Sequence, residues 1–143
     1  DQAADCNPET SKMDINYSQT RWLIAAQEDF AARADWCVKS YADANHAPQI
    51  TVKEGMFLTA KPGQELLINI ETRDPDRNGI KLKAWAYPEA GSGKAGVAIG
   101  GKMATLSIPD NAKIGDRFHV VIEGTDNGIP ALTRYRRVVI QIR

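Results

Sequence analysis

Three aromatic side chains have the chemistry and spacing to bind a sugar. Trp85 and Tyr87 alternate along one predicted strand and therefore share a face, while Tyr135 lies on the predicted closing strand. Sugar rings present apolar C–H faces edged by hydroxyls, so exposed aromatic rings with polar neighbours suit them. If the two strands are neighbours, the three rings form a carbohydrate-binding platform. The alternative is that Trp85 is a core anchor of a β-sandwich, in which case Leu82 and Ala84 face outward.

Oxygen-bearing side chains gather in two predicted turns and suggest calcium as an alternative ligand. Asp74, Asp76 and Asn78 occupy alternate positions of one turn, and Asp126 and Asn127 could reach the same end of a sandwich. Several carboxylate and amide oxygens together suit a hard cation such as Ca²⁺. The same residues also form good turns, because Asp side chains accept hydrogen bonds from nearby backbone amides. Calcium binding and simple turn chemistry both remain open.

Residues suited to catalysis are sparse. His46 and His119 are the only histidines, and neither has a nearby Ser or Cys in a glycine-elbow context. Glu89 and Glu123 could form a glycosidase pair, but nothing in the sequence sets the distance between them. We therefore expect the chain to be no enzyme and to require no cofactor.

Length and charge exclude several classes of protein. The chain has 143 residues, which suits one domain with an appendage. Eighteen basic residues balance eighteen acidic ones, so the broad positive field of a nucleic-acid binder is missing. No apolar run approaches about 18 residues, and the polar start over residues 1–5 is not a signal peptide. We expect neither nucleic acid nor membrane as a partner.

The two cysteines leave two structural alternatives. Cys6 and Cys37 are too few and too far apart in sequence for a zinc site or a redox motif. They could form one disulfide, which secreted proteins commonly carry. Alternatively, Cys37 is a buried thiol and Cys6 is free, and the sequence does not distinguish these cases.

The first third of the chain predicts an arm and one helix. Residues 1–17 are polar and lack periodicity, which indicates an irregular arm. Apolar residues then recur at helical spacing, which predicts a helix from about 19 to 39 with Ser18 as its N-cap. We expect this amphipathic helix to bury a stripe that includes Trp22 and Phe30.

Residues 41–48 break the helical pattern and predict a linker, since Pro48 disfavours a helical conformation at Ala47. Short strand patterns separated by turns follow, over residues 49–53, 56–60, 64–73, 80–88, 97–99, 103–108, around 118–122 and from 132 to the end. In the last of these Val138, Ile140 and Ile142 alternate with more polar residues. The pattern predicts a mainly β protein: an antiparallel, immunoglobulin-like β-sandwich of seven or eight strands preceded by one α-helix.

Four segments together resemble a known family. Asp29–Val38, Ala44–Pro48, Trp85–Gly91 and Phe118–Arg137 look like the C-terminal part of bacterial secreted cellulose-binding proteins. In that family a nucleoside-hydrolase-like domain precedes a small immunoglobulin- or cadherin-like sandwich. The resemblance implies that residues 1–42 are the tail of the larger domain and that residues 45–143 are the sandwich.

The resemblance also implies a function and a setting. The chain would be a non-catalytic module that binds cellulose or a related glycan, secreted or periplasmic, with any hydrolase site in the larger domain. An alternative is a structural module that packs against that domain and stabilises it. The linker and the turn at Asp126 also resemble cadherin repeats, which implies Glu54, Asp74, Asp76 and Asp126 as calcium ligands.

Overall fold

The computed structural model describes residues 4–143. It consists of an N-terminal arm over residues 4–22, a helix and an eight-stranded β-sandwich. The first part of the chain contains β1 (Asp5–Asn7), β2 (Lys12–Asp14), α1 (Tyr17–Thr20) and α2 (Leu23–Trp36). The sandwich is formed by β3 (Gln49–Val52), β4 (Phe57–Ala60), β5 (Glu65–Arg73), β6 (Ile80–Ala86), β7 (Gly96–Gly100), β8 (Met103–Ser107), β9 (Arg117–Asp126) and β10 (Thr133–Ile142).

The sandwich consists of two four-stranded sheets. The first sheet has the strand order β4-β10-β9-β6, and the second has the order β3-β5-β8-β7. This confirms the predicted mainly β, immunoglobulin-like sandwich. The prediction of a purely antiparallel arrangement is wrong at one edge, where β10 pairs with β4 in parallel. Alternation of side chains determines which face is buried, but it does not determine the direction of the neighbouring strand.

The core lies between the two sheets and follows the predicted alternation. Val138, Ile140 and Ile142 of β10 are fully buried, as are Ile68 of β5 and Leu106 of β8. Burying branched aliphatic side chains from both sheets supplies the main driving force for folding. The inner faces of the two sheets are therefore chemically alike.

The helix differs from the prediction in both its start and its buried face. It begins at Leu23, after a break that follows α1, and the Ser18 hydroxyl donates to the Ile15 carbonyl instead of capping it. Phe30 is 75% exposed, whereas Ala32 is fully buried. The face that includes Ala32 points toward the sandwich, so the predicted burial is wrong for Phe30, although Trp22, just before the helix, is partly buried.

Polar contacts explain why α2 presents this face. Asp29 accepts a hydrogen bond from Arg134 of β10 at 2.9 Å, and the Trp36 indole N–H donates to the Asn45 carbonyl at 2.8 Å. Neither partnership is visible in the periodicity of the helix alone. Within residues 4–143, no helix is long and apolar enough to cross a membrane.

The arm and the cysteines also correct the sequence analysis. Over the described part of residues 1–17, β1 and β2 form an antiparallel hairpin where an irregular segment was predicted. Cys6 and Cys37 are both exposed and both unpaired. Neither alternative for the cysteines is therefore correct, because there is no disulfide and Cys37 is not buried.

The segment predicted as a linker is packed against its surroundings. Tyr41–Asp43 form a turn of 3-10 helix, and the buried Asn45 donates to the carboxylate of Asp126 and to the Pro130 carbonyl. The His46 ring lies between Tyr41 and Trp36, with ring centroids 3.9 and 5.4 Å away. These contacts attach the segment to the turn between β9 and β10 and to the end of α2.

Candidate functional site

Strand register brings the three predicted aromatic residues to one face of the first sheet. Trp85 lies opposite Val121 of β9, while Tyr135 lies opposite Glu123, two residues further along the same strand. The Tyr87 amide donates to the His119 carbonyl, which continues the same side of the ladder. The three rings therefore share the outer face of β6, β9 and β10.

The orientation of β6 decides between the two alternatives for Trp85. Leu82 and Ala84 pack against the hydrophobic core, so the alternating Trp85 points outward. The core-anchor alternative is wrong. Trp85, Tyr87 and Tyr135 are nevertheless only partly exposed, because the arm lies over them.

Trp22, the residue before α2, provides a fourth ring. Its ring centroid lies 5.7 Å from that of Trp85, 6.3 Å from that of Tyr87 and 5.0 Å from that of Tyr135. Edge-to-face and tilted aromatic pairs at such distances are mutually stabilising. We call Trp22, Trp85, Tyr87 and Tyr135 the aromatic cluster.

Arg21 links the arm to this cluster. Its guanidinium carbon lies 4.2 Å from the ring centroid of Trp85 and 4.9 Å from that of Tyr87, which is cation–π geometry. The same guanidinium donates to Asp5 at 2.8 Å, and the Tyr87 hydroxyl donates to the same Asp5 oxygen at 3.0 Å. Asp5 is only 2% exposed, so its charge is compensated by these two donors.

The two tyrosines of the cluster are held in their protonated form. Burial, followed by the hydrogen bond to Asp5, raises the pKa of Tyr87. Burial also raises the pKa of Tyr135, and the nearby charge of Glu123 acts in the same direction. Both phenols are therefore neutral hydroxyl groups at physiological pH and can donate hydrogen bonds.

An open pocket of about 580 Å³ lies between the arm and the first sheet. The arm contributes Tyr17, Arg21 and Trp22 to its wall, and the sheet contributes Trp85 and Tyr135. Charged side chains also line it: Lys83, Glu89, Lys94 and Glu123. Apolar rings surrounded by hydrogen-bonding groups are the usual composition of a small-molecule site, and the volume is within the usual range.

The arm residues of this pocket were missed by the sequence analysis. Trp22 was assigned to a buried helical stripe, and Arg21 and Asp5 were given no role. The useful signal was the adjacent pair Arg21-Trp22, a cation and a large ring placed before the helix. Only the path of the arm across the sheet shows that the pair meets Trp85.

One of the four predicted calcium ligands, Glu54, lies away from the other three. Glu54 accepts hydrogen bonds from the Asn69 amide and side chain, in the turn after β3, whereas Asp74 follows β5 at the opposite end of that strand pair. Asp76 accepts from the backbone and ring of His46. Within residues 4–143, no group of three or more His, Cys, Asp or Glu side chains is arranged to hold a metal ion.

Local amides use the oxygens of the turn carboxylates. One oxygen of Asp74 accepts from the amides of Asp76 and Asn78, and one oxygen of Asp126 accepts from those of Gly128 and Leu132. This is the turn chemistry that the sequence left open beside calcium. Calcium binding by Asp74, Asp76 and Asp126 stays a prediction.

The two glutamates weighed as a glycosidase pair each have a partner within the protein. Glu89 accepts from the Cys6 amide, and Glu123 forms an ion pair with Lys83 at 3.3 Å. His119 lies buried on the outer face of the first sheet, where burial and then the charges of Arg137 and Arg117 lower its pKa.

Comparison with solved structures gives a match to a longer protein. A nucleoside hydrolase-related protein from Saccharophagus degradans, associated with carbohydrate metabolism, is 34% identical with a TM-score of 0.81. The match covers 86% of this chain and 32% of that protein, so the chain spans about a third of this relative's length. A search of curated proteins found no match.

Two titin structures are more distant neighbours. A chimeric titin Z1Z2 is 12% identical with a TM-score of 0.42, and covers 70% of this chain and 97% of its own. Titin M4 is 16% identical with a TM-score of 0.40, with coverage of 69% and 98%. Similarity at this level is too loose to carry an argument.

The family model described as "Cellulose-binding protein Sde0182, C-terminal domain" matches residues 67–142. This segment runs from β5 through β10 and includes three members of the aromatic cluster, Trp85, Tyr87 and Tyr135. It covers more than half of the chain. The chain therefore belongs to the family of the C-terminal domain of cellulose-binding protein Sde0182.

Proposed function

We propose that this chain is a non-catalytic, secreted or periplasmic module that binds cellulose or a related β-glucan in the pocket between the arm and the first sheet. The observation that carries the proposal is the aromatic cluster, whose rings Trp22, Trp85 and Tyr135 line that pocket together. The family name and the carbohydrate-associated relative support the choice of ligand.

The chemistry of the pocket fits a sugar in two respects. Ring faces and edges offer apolar surface to the axial C–H groups of a glucose unit, whose burial is favourable. Lys83, Glu123 and the Tyr135 hydroxyl place donors and acceptors beside those rings for the equatorial hydroxyls. Within residues 4–143, Arg21 uses only one of its five N–H groups in a side-chain hydrogen bond, that to Asp5, which leaves donors for a ligand.

The direct test measures how the chain binds cellohexaose and a soluble mixed-linkage β-glucan. Binding is measured by calorimetric titration and by retardation in affinity gels. We expect Trp85→Leu to weaken binding by about tenfold or more, since it removes a ring but keeps an apolar side chain. Phe57→Leu is the matched control, because Phe57 is an 81% exposed aromatic on the same sheet outside the pocket.

Three results would contradict the proposal. The first is failure of the folded chain to bind any glucan. The second is unchanged binding in a Trp85→Leu variant whose circular dichroism and melting temperature show a native fold. Equal losses in Trp85→Leu and Phe57→Leu would also show that the pocket is not the site.

A second function is favoured by the outer face of α2. Ile24 and Phe30 of α2 are 74% and 75% exposed, Leu23 at its start is 49% exposed, and Val38, two residues beyond its end, is 83% exposed. Several large apolar side chains exposed along one short segment are a feature of interaction sites. The relative in which this fold occupies about a third of the length suggests the occupant, namely the larger preceding domain of the same polypeptide. We propose that this face packs against that domain and stabilises it.

This second function is tested by Phe30→Glu in the longer protein and in this chain alone. We expect the melting temperature of the preceding domain to fall in the longer protein, because a charge is placed in an apolar interface. The isolated chain should melt as the parent does, since Phe30 is exposed there. Equal melting of the longer protein with and without the substitution would contradict the docking role.

A further inference from the structure

We propose, building on the glucan-binding function, that the pocket takes a single hydrated glucan chain and rejects the flat surface of crystalline cellulose. The relevant observation is the mutual orientation of the four rings. This inference concerns the physical form of the ligand, which the family description does not specify.

A crystalline glucan surface requires coplanar rings spread along a strip. Its exposed sugar faces lie in one plane, so side chains that stack on it must lie in a second, parallel plane. The rings of the aromatic cluster do not: Trp22 is inclined to Trp85 by 34°, to Tyr87 by 64° and to Tyr135 by 87°. Trp85 and Tyr87, neighbours on the same strand, are inclined to each other by 59°.

The rings are also too close together to form a strip. All three ring centroids around Trp22 lie within 6.3 Å of it, in direct contact distance. A cluster of this kind presents one compact apolar wall, which contacts only a short stretch of ligand. Successive sugars along a crystal face would therefore not each meet an aromatic ring.

The arm gives the second reason, because it obstructs the approach of a flat surface. Arg21 lies over the Trp85 ring, and Asp5 fixes that guanidinium in place. Trp85 lines the pocket between arm and sheet, and both elements contribute walls to that pocket. A separate chain can enter such a pocket, whereas a rigid crystal face meets the arm first.

Charged groups at the pocket wall favour a solvated chain as well. Lys83 and Glu123 lie on the sheet side, and Glu89 and Lys94 lie on the loops after β6. Hydroxyls of a separate chain are available to such groups, while most hydroxyls of a crystal are already hydrogen-bonded to neighbouring chains. Polar groups left without partners on binding would oppose adsorption to a crystal.

The experiment compares adsorption of the chain to acid-swollen amorphous cellulose and to highly crystalline bacterial cellulose, with calorimetric titration of cellotetraose and cellohexaose. We expect affinity per accessible area to be at least about tenfold higher for the amorphous form, and cellohexaose to displace the bound protein. Affinity for cellohexaose should exceed that for cellotetraose by no more than about threefold, because the cluster contacts only a short stretch.

Trp22→Leu separates the pocket from a sheet-only platform. It should weaken binding to the amorphous form and to cellohexaose by about as much as Trp85→Leu, while Phe57→Leu changes neither. Melting curves check that the Trp22→Leu chain is folded. A folded Trp22→Leu variant that binds amorphous cellulose and cellohexaose as the parent does would contradict the proposal, because it would mean that the arm side of the pocket takes no part in binding.

The remaining outcomes distinguish the inference from the function beneath it. Equal or preferred adsorption to crystalline cellulose, lost in Trp85→Leu, would overturn the single-chain inference and leave glucan binding intact. Affinity that keeps rising tenfold between cellotetraose and cellohexaose would likewise indicate an extended strip. Failure to bind any form of glucan would overturn both.

Discussion

The outer faces of the two sheets differ sharply although their inner faces are alike. On the second sheet the outward positions of β3 and β5 are mostly polar, and Lys53 and Glu71 form an exposed ion pair at 2.9 Å. On the first sheet the outward positions include Trp85 and Tyr135, and the arm covers them. One outer face is therefore solvated and the other binds a segment of its own chain.

This difference shows where specific function can be encoded in a sandwich. Inward residues of both sheets are constrained by packing, since they must fill one core. Outward residues are free of that constraint. A run of polar residues or a group of aromatic rings on an outer face therefore indicates what that face contacts. The covered face is the one that carries the candidate site.

The largest expected effects lie on the inner faces and should be equal in the two sheets. Ile68→Ala on the second sheet and Ile140→Ala on the first each remove a fully buried side chain. Each should lower the free energy of unfolding by about 2–5 kcal/mol, through lost burial and the cavity left behind. Urea denaturation measures both. A loss confined to one sheet would show that the two halves do not share one core.

The outer faces should respond unequally to truncation. Trp85→Ala is expected to cost about 2 kcal/mol, because the ring packs against Trp22 and Arg21. Leu67→Ala is the matched change on the second sheet, where Leu67 of β5 is 58% exposed, and should cost about 0.5 kcal/mol or less. Similar losses in the two variants would remove the distinction between the faces.

A smaller effect is expected from pH, on the covered face alone. Burial lowers the pKa of His119, and the charges of Arg137 and Arg117 add to this. As pH falls below about 6.5 the unfolded chain takes up a proton at this residue before the folded chain does, so stability declines. His119→Gln should reduce that decline, as measured by urea denaturation at about pH 7.5 and pH 5. An equal decline in both proteins would assign the pH dependence to other groups.

The smallest effect is expected on the solvated face. Lys53→Ala breaks the exposed ion pair with Glu71, yet the urea midpoint should not change measurably because water replaces the interaction. Raising the salt concentration screens this pair, and the loss of its attraction should leave the urea midpoint of the parent protein unchanged. A clear loss of stability in Lys53→Ala would mean that the second sheet's outer face is more than a solvated surface.

The sandwich could be predicted because its signal is local. Alternation over Val138, Ile140 and Ile142 identifies a half-buried strand whatever its neighbours are, and these residues are fully buried. The parallel pairing of β10 with β4 could not be predicted, since it depends on how the sheets close. The helix was predicted to exist but its buried face was wrong, because Asp29 binds Arg134 of β10 and Trp36 binds Asn45 of the segment before β3.

The candidate site was predictable only on the sheet. Trp85 and Tyr87 share a face by alternation, and Tyr135 joins them because β9 lies between the two strands. Trp22 and Arg21 reach the same place through the path of the arm, which no periodicity describes. The sequence therefore predicts only the side of the pocket that the sheet contributes.

The packed segment between α2 and β3 bears on how this protein can be divided. Asn45 is buried against Asp126 and Pro130, and a side chain at Gly128 would collide with it. The contacts of the sandwich therefore extend into the segment near residue 45, which precedes the first strand of the sandwich. A shortened protein that starts there would keep every strand of the sandwich but expose the Asp29-binding side of Arg134 and the Trp22-binding side of Trp85. Biochemists who express the sandwich should retain the arm and the helix, as a single piece.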